Sequence, residues 1–244
     1  MNPVKKYSRK NIGKVIATNE GYDLEVIDGG SKKDYVTIKI EDWIAEVKTR
    51  SATIGSVKYP FHPSVSGAGH IGVGEYSVRN NKDAYIRWKH MIERCYDPKY
   101  HEKFPTYINC SVSIEWLNFQ NFARWFYKNY PTDGLRYELD KDVSIIGNKI
   151  YSSSACAFIP AKINAFMAHK RRSNKSGHTG VSWQESCSKY IVSIYIDKKN
   201  KTLGRYTCLE TASKVYQEAR DIEAEKMRAY YSFDYPKSIL DNIK

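Results

Sequence analysis

The chain has 244 residues, enough for one large domain or two to three small ones with real cores. Lys and Arg number 39 against 27 Asp and Glu, a formal net charge of +12, which points to a polyanionic partner, because basic side chains that neutralise phosphates release condensed counterions. No apolar run approaches the roughly 20 residues of a membrane span, and residues 1–11 hold no apolar secretory segment, so no membrane partner and a cytoplasmic location are expected.

Along the chain, residues 12–58 predict short strands. Residues 24–27 and 35–40 alternate or run β-branched, with a turn at Asp28, Gly29, Gly30 and Ser31, as in a small β-barrel or meander. Residues 59–74 are rich in Gly, Pro and His and read as loop. His62 and His70 lie there without a partner at metal-ligand spacing. A helix is predicted over 82–97, where Tyr85, Trp88, Met91, Ile92 and Cys95 recur at three- and four-residue steps and Asp97-Pro98 ends the run. A second is predicted over 115–129, with Trp116, Phe119, Phe122, Ala123 and Phe126 as its core stripe. Residues 137–143 read as a strand end, 147–149 as a turn and 150–159 as a second extended segment. Pro160 suits the first turn of a helix that buries Ile163, Phe166 and Met167. Residues 170–178 form a basic linker, in which Lys170, Arg171 and Arg172 are suited to phosphate contact. Strands are predicted at 179–184, 190–196 and 202–206, with turns at 186–189 and 197–201. An amphipathic helix follows over 210–231. Three strands backed by one helix leave the other sheet face open, and such a ribbon is narrow enough for a major groove. The 20 Tyr and 5 Trp suit both small β-rich cores and a nucleic-acid surface.

The five cysteines form no CxxC pair, so reduced, buried thiols are expected. A structural zinc site from Cys95, His101, Cys110 and Cys156 is the weaker alternative. The stretch 137–164 is the one suited to metal-dependent phosphodiester chemistry, which needs a divalent cation on oxygen donors and a base for water. Asp140 at a strand end and Asn164 on the next helix would meet if the hairpin folds back onto that helix.

The segments YIRWKHMIERCYDPKY, FPTYINCSVSIEW, FQNFARWF and LDKDVSIIGNKIYSSSACAFIPAKIN, in that order, resemble phage HNH-type homing endonucleases. GVSWQESCSKYIVSIYIDKKNKTLGRYTCLETASKVYQEA resembles the AP2 DNA-binding domain that many of them carry. The resemblance implies an α+β chain in four parts. These are a β-rich, barrel-like N-terminal domain (1–70), a ββα-metal core with flanking helices (71–169), the linker (170–178) and an AP2-like three-stranded sheet plus helix (179–244). It implies a phage-encoded endonuclease acting on double-stranded DNA in the bacterial cytoplasm with Mg²⁺ or Mn²⁺. Asp140 and Asn164 would be its metal ligands and Asn148 its structural asparagine. The family's general-base histidine corresponds here to Lys141, and no His falls within 102–168. A lysine ammonium is no base, which leaves Asp142 or a group outside the motif such as His101 to take the proton, with Lys141 free to hold the phosphate. The sheet positions that read DNA in the family hold Ser182, Gln184, Ser193, Tyr195 and Thr202, and Lys189, Lys199, Lys201 and Arg205 supply phosphate contacts. The alternatives are a catalytically inactive DNA-binding regulator and a protein-directed anti-defence factor on the same scaffold.

Overall fold

A computed structural model describes residues 11–142, 147–167, 176–196 and 199–231, with the side chains of Met167 and Tyr231 left out. Lys170, Arg171 and Arg172 lie outside the described residues. The protein is mixed α+β, and it divides into two compact units, Met1–Phe126 and Tyr127–Lys244. Among the described residues no helix is long and apolar enough to cross a membrane.

The first unit opens with an antiparallel meander of four strands in the order β1-β2-β3-β4: β1 (Val15–Ala17), β2 (Asp23–Gly29), β3 (Tyr35–Ile40) and β4 (Trp43–Lys48). Strict alternation puts Leu24, Val26, Val36, Ile38 and Ile40 on one buried face, which α1 (Thr49–Thr53) closes with Ala52. The turn after β2 comes later than the sequence suggests. Asp28 and Gly29 are still in the strand, and the chain reverses over residues 30–34.

The helical part follows as α2 (Lys82–Tyr96), the short α3 (Pro98–Lys103), the two-residue β5 (Ser111–Val112), α4 (Ile114–Leu117) and α5 (Phe119–Asn129). Asp97 ends α2 and then caps α3 by accepting from the Lys99 amide at 2.9 Å. The single helix predicted over 115–129 is in fact two. Asn118 is extended (φ −87°, ψ 118°), because the flanking backbone pairs with the loop at His70: His70 N–H donates to the Leu117 carbonyl and Phe119 N–H to the His70 carbonyl, both at 2.9 Å. Periodicity does not see this break, since Trp116 and Phe119 are buried on either side of it. The core is aromatic. Trp88 is fully buried, stacks near Tyr85 and Phe119, and donates its indole N–H to the Trp116 carbonyl at 2.7 Å.

In the second unit β6 (Tyr137–Asp140) pairs antiparallel with β8 (Ala157–Pro160), and α6 (Ala161–Met167) packs on both. The second extended segment predicted over 150–159 is broken into β7 (Ile150–Tyr151) and β8, because Ser152 turns the chain by accepting from the Ala155 and Cys156 amides. Pro160 closes β8 opposite Tyr137 instead of starting the helix; lacking an N–H, it fits the end of a short strand. A three-stranded antiparallel sheet follows in the order β11-β10-β9, from β9 (Val181–Gln184), β10 (Lys189–Ile196) and β11 (Lys199–Tyr206). β11 begins at Lys199, inside the stretch 197–201 predicted as a turn. The 23-residue α7 (Leu209–Tyr231) covers one face through Ala212, Val215, Tyr216 and Ala219. Gly180 (φ +74°) makes this fit: a Cβ there would lie 2.0 Å from the Tyr216 ring.

Trp88→Ala removes a fully buried ring and leaves the Trp116 carbonyl without its indole donor. Loss of about 3–5 kcal/mol is expected in chemical denaturation of the full chain. A loss below about 1 kcal/mol would show that the α2–α5 core does not depend on it.

Candidate functional site

The loop that leaves β6 is built around a buried ammonium. Lys141 has a side chain only 10% exposed, and it donates to both carboxylate oxygens of Asp142 at 2.8 Å and to the Asn148 carbonyl at 2.6 Å. Burying an unpaired ammonium costs several kcal/mol, so these acceptors are a condition of the loop's shape. Asn148 locks the other side: its Nδ2 donates to the carbonyls of Lys141 (2.8 Å) and Ile150 (2.7 Å), and its Oδ1 accepts from the Ile150 amide at 3.0 Å. Asp140 accepts from the Asp142 amide at 2.7 Å, an Asx-type turn that fixes its carboxylate at the strand end.

Asp140, Lys141, Asp142 and Asn148 are therefore one hydrogen-bonded cluster. Asn164 lies half-buried on α6, between the buried Ile163 and Phe166, on the helix that packs against β6. Its amide and the Asp140 carboxylate are oxygen donors of the class that Mg²⁺ and Mn²⁺ take, so their chemistry fits such an ion. Two of the expected roles change. Lys141 is committed to Asp142 and Asn148 and is not presented to hold a phosphate. Asp142 has both oxygens on that ammonium and is a poor candidate for the base.

Nearby, burial pushes the Cys156 thiol up to about 12, with the Asp140 and Asp142 charges adding to the effect. Among the described residues no group of three or more His, Cys, Asp or Glu side chains is arranged to hold a metal ion. His101, the candidate base from outside the motif, sits in the first unit with its Nε2 2.9 Å from the Arg94 carbonyl.

The second candidate surface is the sheet face opposite α7. Cross-strand partners share a face, so the pairing of Ser182 with Ile191 and of Ile191 with Arg205 makes one row across the sheet. Gln184–Lys189, Ser193–Thr202 and Tyr195–Asn200 make the others. Ser182, Gln184, Lys189, Ser193, Tyr195, Thr202 and Arg205 thus share this face, with Tyr195 61% exposed. Lys199 and Lys201 do not join them. They pair with Ile196 and Ile194, whose side chains belong to the α7 side. The cause is a β-bulge beside Val192 and Ser193, where the extra residue Leu203 shifts the alternation of β11. A strict period of two would have kept Lys201 with Arg205, and no residue type in the strand announces the slip. Trp183 is also off the open face: it pairs with Tyr190 on the α7 side, ring centroids 4.8 Å apart.

No protein-family model, no curated protein and no solved structure matches the chain.

Asn148→Ala removes three hydrogen bonds and releases both ends of the loop. About 1–3 kcal/mol of destabilisation is expected in thermal or urea unfolding, given that the site is partly exposed. Asn148→Asp, which keeps Oδ1 and loses the donor, should recover less than half of it.

Proposed function

We propose that the chain is a DNA endonuclease of the phage HNH homing type. In this reading the hairpin–helix β6-β8-α6 is a ββα-metal core and the sheet β9–β11 with α7 is an AP2-like module that binds double-stranded DNA. The observation that carries it is the hydrogen-bonded loop that leaves β6, in which Asn148 clasps Lys141 and Ile150 and the Asp142 amide donates to the Asp140 carboxylate, ahead of the helix bearing Asn164. That order of parts suits phosphodiester hydrolysis, and a net charge of +12 suits a polyanionic substrate. Asp140 and Asn164 would hold a divalent cation, which when bound stabilises negative charge on the leaving oxygen. Asn148 keeps the loop closed, the Lys141–Asp142 pair makes that closure compatible with burial, and the open sheet face docks DNA by Arg205 and Lys189 on phosphates and by Gln184 and Tyr195 towards the groove.

A second reading is a DNA-binding protein on a catalytically silent core. What favours it is the Lys141 ammonium at the position of the family's base, turned into the loop against Asp142 and Asn148.

Nicking of supercoiled DNA with Mg²⁺ or Mn²⁺ decides between them. The endonuclease reading expects cleavage by the wild type and a drop on the order of 10–100-fold or more in Asp140→Ala and Asn164→Ala, with DNA binding retained. A wild type that binds DNA and never nicks it would establish the silent reading. Separately, Arg205→Ala should lower the slope of log affinity against log salt by about one. Binding without salt dependence would overturn the DNA interface altogether and favour a protein-directed factor.

A further inference from the structure

α7 does more than back the sheet. Its sheet-facing residues end at Ala219, yet the helix runs on to Tyr231 and buries Glu223, Ala224 and Met227 beyond that point. At the changeover stands Arg220. Its guanidinium lies 4.8 Å from the centroid of the Phe166 ring, and its Nη2 reaches the Phe166 carbonyl at 3.5 Å. Phe166 is buried, one residue before the last described residue of α6. A cation placed there meets the negative face of the ring while its edge still donates to the carbonyl. α6 has only seven residues, too few to hold its own shape in water, so its position depends on tertiary contacts of this kind.

We propose that Arg220 is a positioning residue: it clamps α6 at Phe166, and with it Asn164, to the helix that carries the open sheet. The role assigned to Asn164 rests on the endonuclease reading above; the clamp itself does not. A guanidinium fits this place better than an ammonium because its flat π system lies over a ring while its edge still donates. In the intact protein the clamp makes the sheet and the hairpin–helix move together, so that a duplex held by the sheet is presented to one fixed arrangement of Asp140 and Asn164.

The test is hydrogen exchange on the full chain, wild type against Arg220→Ala and Arg220→Lys. The clamp expects amides of residues 164–167 to exchange about tenfold faster in Arg220→Ala, from the lost ring contact and hydrogen bond. Amides of β10 should stay at the wild-type rate, and Arg220→Lys should recover part of the protection. Unchanged exchange in α6, or equal acceleration in α6 and β10, would overturn it. With nicking as the second readout, Arg220→Ala should lose on the order of 10–100-fold in rate while binding DNA as tightly as the wild type; full nicking by that variant would overturn the positioning role. A wild type that does not nick would sink the endonuclease reading and leave exchange to decide the clamp alone.

Discussion

Everything at the candidate centre follows from one buried cation. Lys141 follows directly on β6 and points inward, and an ammonium in that position must find acceptors. It finds Asp142 and the Asn148 carbonyl, which draws the start and the end of the loop together. Asn148 then returns the bond to the Lys141 carbonyl. The strands here are short, with four residues each in β6 and β8, and the two reciprocal bonds add to their ladder. The Asp140 carboxylate is placed by the same knot, through the Asp142 amide.

The knot bears directly on chemistry. An ion pair inside the loop consumes the two side chains that follow Asp140, so the centre is rich in scaffold and poor in bases. Acid–base work at such a centre would fall to a group outside the loop. The raised Cys156 thiol belongs to the same picture: it is buried near the Asp140 and Asp142 carboxylates, where a further anion is disfavoured.

The sheet of the second unit is organised by a defect. Without the bulge at Leu203, β11 would put its lysines and Arg205 on one face; with it, the open face keeps Arg205 and Lys189 among uncharged polar and aromatic side chains. A face of that composition carries less non-specific phosphate attraction and more hydrogen-bonding capacity than the strand sequence suggests. Lys199 and Lys201, on the other side near the hairpin tip, extend positive charge around the edge of the sheet. Arg220 supplies the remaining link, tying the helix behind that sheet to α6.

Features with a period or a local rule were legible along the chain. Alternation gave the buried faces of β2 and β3, three- and four-residue spacing gave α2 and the sheet-facing side of α7, and Asp97-Pro98 gave the end of a helix. Asn148 could be singled out through its family resemblance, and the structure gives it a role in closing the loop. Features that depend on a partner far along the chain were settled only by folding. The break at Asn118 exists because His70 bonds on both sides of it. The commitment of Lys141 depends on acceptors at Asp142 and Asn148, and the faces of Lys199 and Lys201 depend on which β10 residues they oppose. The contact of Arg220 joins residues 54 apart. Hydrophobic periodicity reports which side of a segment avoids water, but not which hydrogen-bonding group or charge will lie across from it; that is fixed only when distant backbone meets.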